Sequence, residues 1–203
     1  MAAVQTFYLP HYPTYPIYVC MFKDVSNADF LRSQLLEANP KFDYAFLDAT
    51  MILSLPHLLS ASFLALHSHV THRSKTRTPH SELVFRLHPS NNIGESYKRF
   101  GISDSTTYLI AVKIGLGPET TAESVMEHLS ENVKGEAVLI GGGGLEIGMW
   151  ANEAKVRKVY KLENKDAAKK EKNGAVNGVD RAEANQRQEV ESVILGMVSL
   201  KGS

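Results

Sequence analysis

With a single cysteine, Cys20, in 203 residues, the chain has no internal disulfide to staple it. That cysteine sits in the apolar run IYVCMF, where it reads as a buried, inert thiol, and its isolation points to a reducing compartment. An excess of either charge is also missing, because 22 Lys and Arg balance 22 Asp and Glu. A generally basic surface is thereby excluded, and any contact with a polyanion has to come from a local patch. Nor is there an uninterrupted apolar run of bilayer length: the longest, residues 45–70, is broken by Asp48, Pro56 and several Ser and His. The opening MAAVQTFYLPHYP has neither a basic n-region nor an apolar h-region, so no secretory signal is expected. These absences point to a soluble intracellular protein without a membrane partner.

Recognisable catalytic motifs are lacking too. The glycine run IGGGGLEIG (140–148) fails the spacing of a dinucleotide fingerprint, and no G-x-x-x-x-G-K-[ST] occurs. It reads as a flexible loop that uses the permissiveness of glycine. There is no G-x-S-x-G elbow to expose a nucleophilic serine. His67, His69 and His72 in HSHVTH resemble metal ligands, but positions 67 and 69 point to different faces of a helix. A solvated helix end explains them, with partly protonated imidazoles favoured by the helix C-terminus. Asp43, Asp48 and Asp104 read as turn or cap residues. No catalytic set, metal or cofactor is expected.

What is present is an ordinary apolar fraction of 43%, enough for a sizeable core. VQTFYL (4–9) and IYVCMF (17–22) have strand composition around a proline-rich turn, and TTYLIAVKI (106–114) reads as a central strand. ELVFRL (82–87) and EAVLI (136–140) read as further short strands. Ser26 opens a helix with Asp29 as capping-box partner, and Asn39-Pro40 stops it. Leu55, Leu58, Leu59, Ser62, Phe63, Leu66 and Val70 recur at helical spacing, with Pro56 in the first turn. Helices are also expected over 121–132, over 151–162 and from about Glu183 to the end. Residues 163–182 have almost no large apolar side chains and two Asn-Gly breaks, and read as a flexible polar insertion. The expected architecture is a single α+β domain, formed by 1–162 with 183–203. Its sheet should be mixed and largely antiparallel, because strands and helices do not alternate regularly.

LHPSNNIGESYKRFGI (87–102) carries the densest set of candidate binding residues. Asn91 or Asn92 caps a helix, Glu95 reaches back, Ile93, Tyr97 and Phe100 form its inner face, and Gly101 suits the position after its end. Lys98 and Arg99 fall on the outer face. Just upstream, HRSKTRT places Arg73, Lys75 and Arg77 on one side of an extended segment. If the two segments adjoin, they form a cationic groove at a helix N-terminus, a place for phosphate. An ordinary solvated surface is the competing reading. A second basic stretch, residues 155–172, has eight Lys/Arg against three Asp/Glu and reads more simply as a solvated insertion.

The run KTRTPHSELVFRLHPSNNIGESYKRFGI followed by YLIAVKI resembles the small kinase-associated subunit of the KEOPS (EKC) complex, the TPRKB-type family. FKDVSNADFLR (22–32), LDATMILSLPHLLSASFLAL and AKVRKVYKL extend the resemblance over roughly residues 4–162 and the last helix. The glycine run and the 163–182 segment depart from the family pattern. The resemblance implies a non-enzymatic protein that binds the complex's small atypical kinase/ATPase, and other subunits indirectly. It further implies promotion of threonylcarbamoyl modification of tRNA adenosine and docking of the tRNA 3′ end. By the same resemblance, it implies nuclear and cytoplasmic residence with telomere and transcription associations. Lys75, Arg77, Asn91, Asn92, Lys98 and Arg99 are then the candidate tRNA contacts, and the kinase-facing residues stay unassigned. The residues alone leave a second possibility, an enzyme or sensor binding a phosphorylated metabolite at the helix starting near Asn92.

Overall fold

The computed structural model describes residues 2–162 and 179–201. Strand β1 (Gln5–Leu9) turns back into β2 (Tyr12–Lys23), which is followed by helix α1 (Ala28–Leu36), strand β3 (Ala45–Asp48) and helix α2 (Leu55–Val70). Helices α3 (Pro79–Leu87) and α4 (Ile93–Phe100) lead to β4 (Leu109–Ile114), α5 (Ala122–Asn132), β5 (Glu136–Val138), α6 (Glu153–Tyr160) and α7 (Val179–Leu200). The strands order as β1-β2-β4-β3, with β5 pairing the far end of β2, and every described pairing is antiparallel. The fold is a single α+β domain, as the sequence pattern predicts.

Both faces of the central strands are covered, which explains why their sequences are largely apolar although the sheet is antiparallel. Because side chains alternate along a strand, Ile17, Val19 and Met21 join Ile110, Val112 and Ile114 on one face. There they meet Leu58, Ala61, Leu66, Leu83, Leu87 and Ile194 from the helices. Tyr18, Cys20 and Phe22 point the other way with Leu109 and Ala111, and are covered by Leu31, Val125 and Leu129. Burial pushes the Cys20 thiol up to about 12, so it carries no thiolate near neutrality.

The helix-rich face contains a buried polar chain. The Leu53 N–H donates to His57 Nδ1 at 3.3 Å, so the His57 proton sits on Nε2, 3.0 Å from the Tyr160 hydroxyl. Tyr160 in turn donates to the Leu87 carbonyl, joining α2, α6 and the end of α3. Burial lowers the His57 pKa from 6.5 to about 4. The unfolded chain therefore takes up a proton near pH 6.5 that the folded chain refuses. Stability contributed by the neutral ring is complete above pH 6.5 and lost as pH falls toward 4, by up to about 3 kcal/mol. Thermal melts at pH 7, 5.5 and 4.5 check this: the wild type should lose stability steeply across that window and His57→Gln less so, whereas parallel losses would refute the assignment.

The structure corrects several sequence-based expectations. Residues 82–87 are helical, not a strand. Thr78 caps α3 reciprocally with Ser81, Pro79 occupies the first turn, and α3 is buried nearly all round, which erases its periodicity. Strand β2 runs through Pro13 and Pro16 rather than starting at residue 17. Helix α1 is preceded by Asn27, whose side chain makes no cap and instead donates to the Asn132 carbonyl at 2.8 Å, tying α1 to the end of α5. Gly101 has an extended φ of −74°, not a left-handed one. Glycine is needed there because a Cβ would lie 2.7 Å from the Tyr97 carbonyl oxygen. The 140–148 segment is a chain of tight turns with buried Ile140 and Ile147, held by bonds such as Gly144 N–H to the Gly141 carbonyl at 2.8 Å. Helix α7 starts at Val179, ahead of the expected Glu183, and the rest of the expected insertion, 163–178, lies outside the described residues.

Candidate nucleic-acid interface

Helix α4 starts where the Asn92 Oδ1 accepts the Glu95 N–H at 3.0 Å. The Glu95 carboxylate does not reach back to complete a capping box but pairs with Arg99 at 3.4 Å, one turn on. Phe100 is fully buried and Tyr97 half-buried, whereas Ile93 is 41% exposed and not part of the core as its spacing suggested. Ile93 faces a groove instead.

That groove, about 1070 Å³ in volume, runs between α4, the end of α1, the turn after it and the segment entering α3. Leu35, Leu36, Phe42, Ile93, Tyr97 and Ile102 give it apolar and aromatic walls. Arg32, Arg77 and Lys98 supply cations, and Asp43 and Asp104 the carboxylates. Arg32 is held by Asp104 at 3.2 Å. Arg77 and Lys98 make no ion pair among the described residues, so their charge is available to the groove.

Two segments distant in sequence thus meet as the groove reading requires, though not with all six candidates. Arg77 and Lys98 line it together. Asn92 serves as the cap, Asn91 is exposed ahead of it, and Arg99 is engaged by Glu95. The exposed Lys75 is absent from the lining, as is Arg99. The 75–78 segment is fixed by buried Glu82, whose Oε2 accepts the N–H groups of Lys75 and Thr76 and the Thr76 hydroxyl, each at 2.9 Å. Its other oxygen pairs with buried Arg86 at 2.8 Å.

Asp43, which the sequence marks only as a turn or cap residue, also lines the groove. Its Oδ1 accepts the Thr78 hydroxyl at 2.9 Å, and its Oδ2 lies 3.0 Å from His80 Nδ1. The His80 Nε2 accepts the Ile114 N–H at 2.9 Å, so the ring proton is on Nδ1, facing Asp43. Burial favours the neutral acid, yet His80, Thr78 and Lys113 outweigh it and hold the Asp43 carboxyl below its ordinary range. Burial, only partly opposed by Asp43, lowers His80 in turn. The group is therefore a carboxylate beside a neutral imidazole. No local signal revealed it, because Thr78 and His80 are brought to Asp43 only by the fold.

Elsewhere, the histidine trio does not converge: His67 Nδ1 bonds the Tyr12 hydroxyl at 2.7 Å, and His72 sits past the helix end with φ of 57°. Among the described residues no group of three or more His, Cys, Asp or Glu is placed to hold a metal ion. No helix is long and apolar enough to cross a membrane, again among the described residues.

Residues 22–202, a span that takes in every wall of the groove, match the kinase binding protein CGI-121 family. The chain belongs to this family. The EKC/KEOPS complex subunit CGI121 of Phaeosphaeria nodorum is 51% identical over an alignment of 232 positions, gaps included, covering 99% of this chain and 100% of the relative. The corresponding subunit of Aspergillus terreus is 41% identical, with 100% of this chain and 98% of the relative covered. A zebrafish protein, the EKC/KEOPS complex subunit TPRKB of Danio rerio, is 33% identical over 73% of this chain and 79% of its own length.

Proposed function

We propose that this protein is a non-catalytic subunit of an EKC/KEOPS-type complex that docks the complex's small atypical kinase/ATPase. In the same reading it receives the 3′ end of tRNA in the α4 groove and so promotes threonylcarbamoyl modification of adenosine. It would act in the nucleus and cytoplasm, with telomere maintenance as a further setting of the same complex. The observation that carries the RNA assignment is the pairing of Arg77 and Lys98, free of ion pairs among the described residues, with walls that include Leu36, Ile93 and Tyr97. Single-stranded RNA is held by this combination, cations on the backbone and aromatic or apolar faces against the bases. A volume of about 1070 Å³ lies just above the range of roughly 300–1,000 Å³ for small-molecule sites. It suits an extended strand end better than a single phosphorylated metabolite.

The kinase is assigned to a different face. Val193 and Met197, four residues apart on α7, are 48% and 37% exposed. With Leu200, 73% exposed and three residues on, they form an apolar stripe along the end of α7 that fits a protein partner.

Anisotropy titration of labelled tRNA against salt tests both assignments. Arg77→Ala and Lys98→Ala should each reduce the slope of log affinity on log salt by about 0.7, the value for one single-strand phosphate contact. Val193→Asp should leave that slope alone and weaken capture of the purified kinase. Unchanged tRNA binding in the Arg77→Ala/Lys98→Ala double variant would sink the RNA assignment.

A further inference from the structure

We infer that Asp43 reads the chemistry of the RNA end, accepting hydrogen bonds from the 2′- and 3′-hydroxyls of a terminal nucleoside and rejecting a terminal phosphate. The inference rests on the tRNA-docking reading and gives that groove its specificity. A groove that guides a polyanion should be lined by cations and neutral groups, and Asp43 breaks that rule. The other groove carboxylate, Asp104, is answered by Arg32 at 3.2 Å. Asp43 has no such cation on its side-chain oxygens: Oδ1 takes the Thr78 hydroxyl and Oδ2 faces His80, a neutral ring by its bond to the Ile114 N–H. Lys113, the nearby ammonium, is turned to the Asp43 main-chain carbonyl at 2.7 Å and stands over the Tyr44 ring.

Each carboxylate oxygen can accept more than one hydrogen bond. Asp43 keeps 34% of its side chain exposed and lines the groove, so its remaining acceptor capacity is open to an occupant. A phosphate brought there meets a like charge in a partly desolvated setting, which is unfavourable. A hydrogen-bond donor meets an ionised acceptor, which is strongly favourable. Along an RNA chain every internal ribose carries a 3′-phosphate; the last one alone presents two vicinal hydroxyls with no phosphate attached. Arg77 and Lys98 then serve the preceding phosphates, while the apolar walls take the bases.

The test changes the RNA, so it does not depend on how well an Asp43 variant folds. The full chain is titrated with one tRNA ending in a 3′-hydroxyl, in a 3′-phosphate, in a 2′,3′-dideoxy nucleotide, or trimmed of its last three nucleotides. The 3′-phosphate and dideoxy ends should each weaken binding about tenfold or more, the scale of losing a hydrogen bond to a charged acceptor. Asp43→Asn should largely remove the penalty against the 3′-phosphate. Equal binding of hydroxyl and phosphate ends, with trimming still harmful, overturns the inference and leaves the docking reading standing. A dideoxy end that binds as tightly as the natural one also overturns it, pointing to a base amine as the donor. Indifference to trimming removes the docking reading and the inference together.

Discussion

Replacing Arg86 with alanine is expected to lower the free energy of unfolding by about 3–5 kcal/mol, the scale of a buried ion pair broken on one side. Glu82 is fully buried and Arg86 is 4% exposed, and they pair across one turn of α3 at 2.8 Å. The remaining groups are also satisfied: Arg86 Nη2 donates to Ser68 Oγ at 2.8 Å and Nη1 to the Lys201 carbonyl, while Glu82 takes three bonds from Lys75 and Thr76. Removing the guanidinium leaves a carboxylate in the interior with hydrogen bonds but no paired cation, since the nearby Lys201 ammonium is turned to the Phe85 and His88 carbonyls. Taking both charges away has a different consequence. Glu82→Leu with Arg86→Met should recover most of the lost stability, since apolar groups of similar size can fill the space of a buried pair. The double variant nevertheless loses the anchor of Lys75 and Thr76, two residues before Arg77. It should therefore fold well and, on the docking proposal, bind tRNA less tightly than the wild type. Urea denaturation of the wild type, both single variants and the double, with tRNA titration of the double, checks the whole cycle. A loss below about 1 kcal/mol for Arg86→Ala would mean that water or a neighbouring cation compensates Glu82.

This pair also shows why part of the molecule was legible in the sequence and part was not. Glu82 and Arg86 at either side of Leu83, Val84 and Phe85 look like the polar borders of a strand. Only tertiary burial of both charges makes α3 a helix with no solvent face. The long stripe of α2 and the apolar runs of β2 and β4 were readable because one physical demand, burial of a face or of both faces, shapes the whole segment. The groove divided the same way. Lys98 and Arg77 announced themselves by charge, Asn92 by its capping position, whereas Ile93 looked like a core residue because helical spacing cannot say which buried face is a cleft. Asp43 read only as a turn or cap residue, since its place in the groove comes from Thr78 and His80, which the fold delivers to it.

Gly148→Ala is expected to be the most damaging single-methyl change outside the core, costing roughly 3–4 kcal/mol. Gly148 has φ of +101°, a conformation that an L side chain adopts only under strain. Such strain costs about 1–3 kcal/mol by itself. The added Cβ would also lie 2.0 Å from the Leu53 carbonyl oxygen and 3.1 Å from the Ser54 nitrogen, both main-chain atoms. Those atoms have little freedom to retreat. The Leu53 and Gly148 carbonyls both accept from Arg187 Nη2 at 3.1 Å, the Leu53 N–H is bonded to His57, and Ser54 caps α2 through the His57 N–H at 3.2 Å. Displacing Leu53 therefore loosens the start of α2, the tether of α7 and the entry to the His57–Tyr160 chain at once, and loss of the cap adds about 1 kcal/mol. Gly142→Ala is the matched control, because a Cβ there meets nothing within 4 Å, and a compatible glycine-to-alanine change is neutral or stabilising by up to about 1 kcal/mol. Chemical denaturation midpoints of the two variants should separate widely, with Gly148→Ala far below the wild type and Gly142→Ala at or above it. Coincident midpoints would mean that the 140–148 turns are a loosely attached loop, as their glycine content alone suggests, and that α7 is held to α2 by its apolar contacts without Arg187.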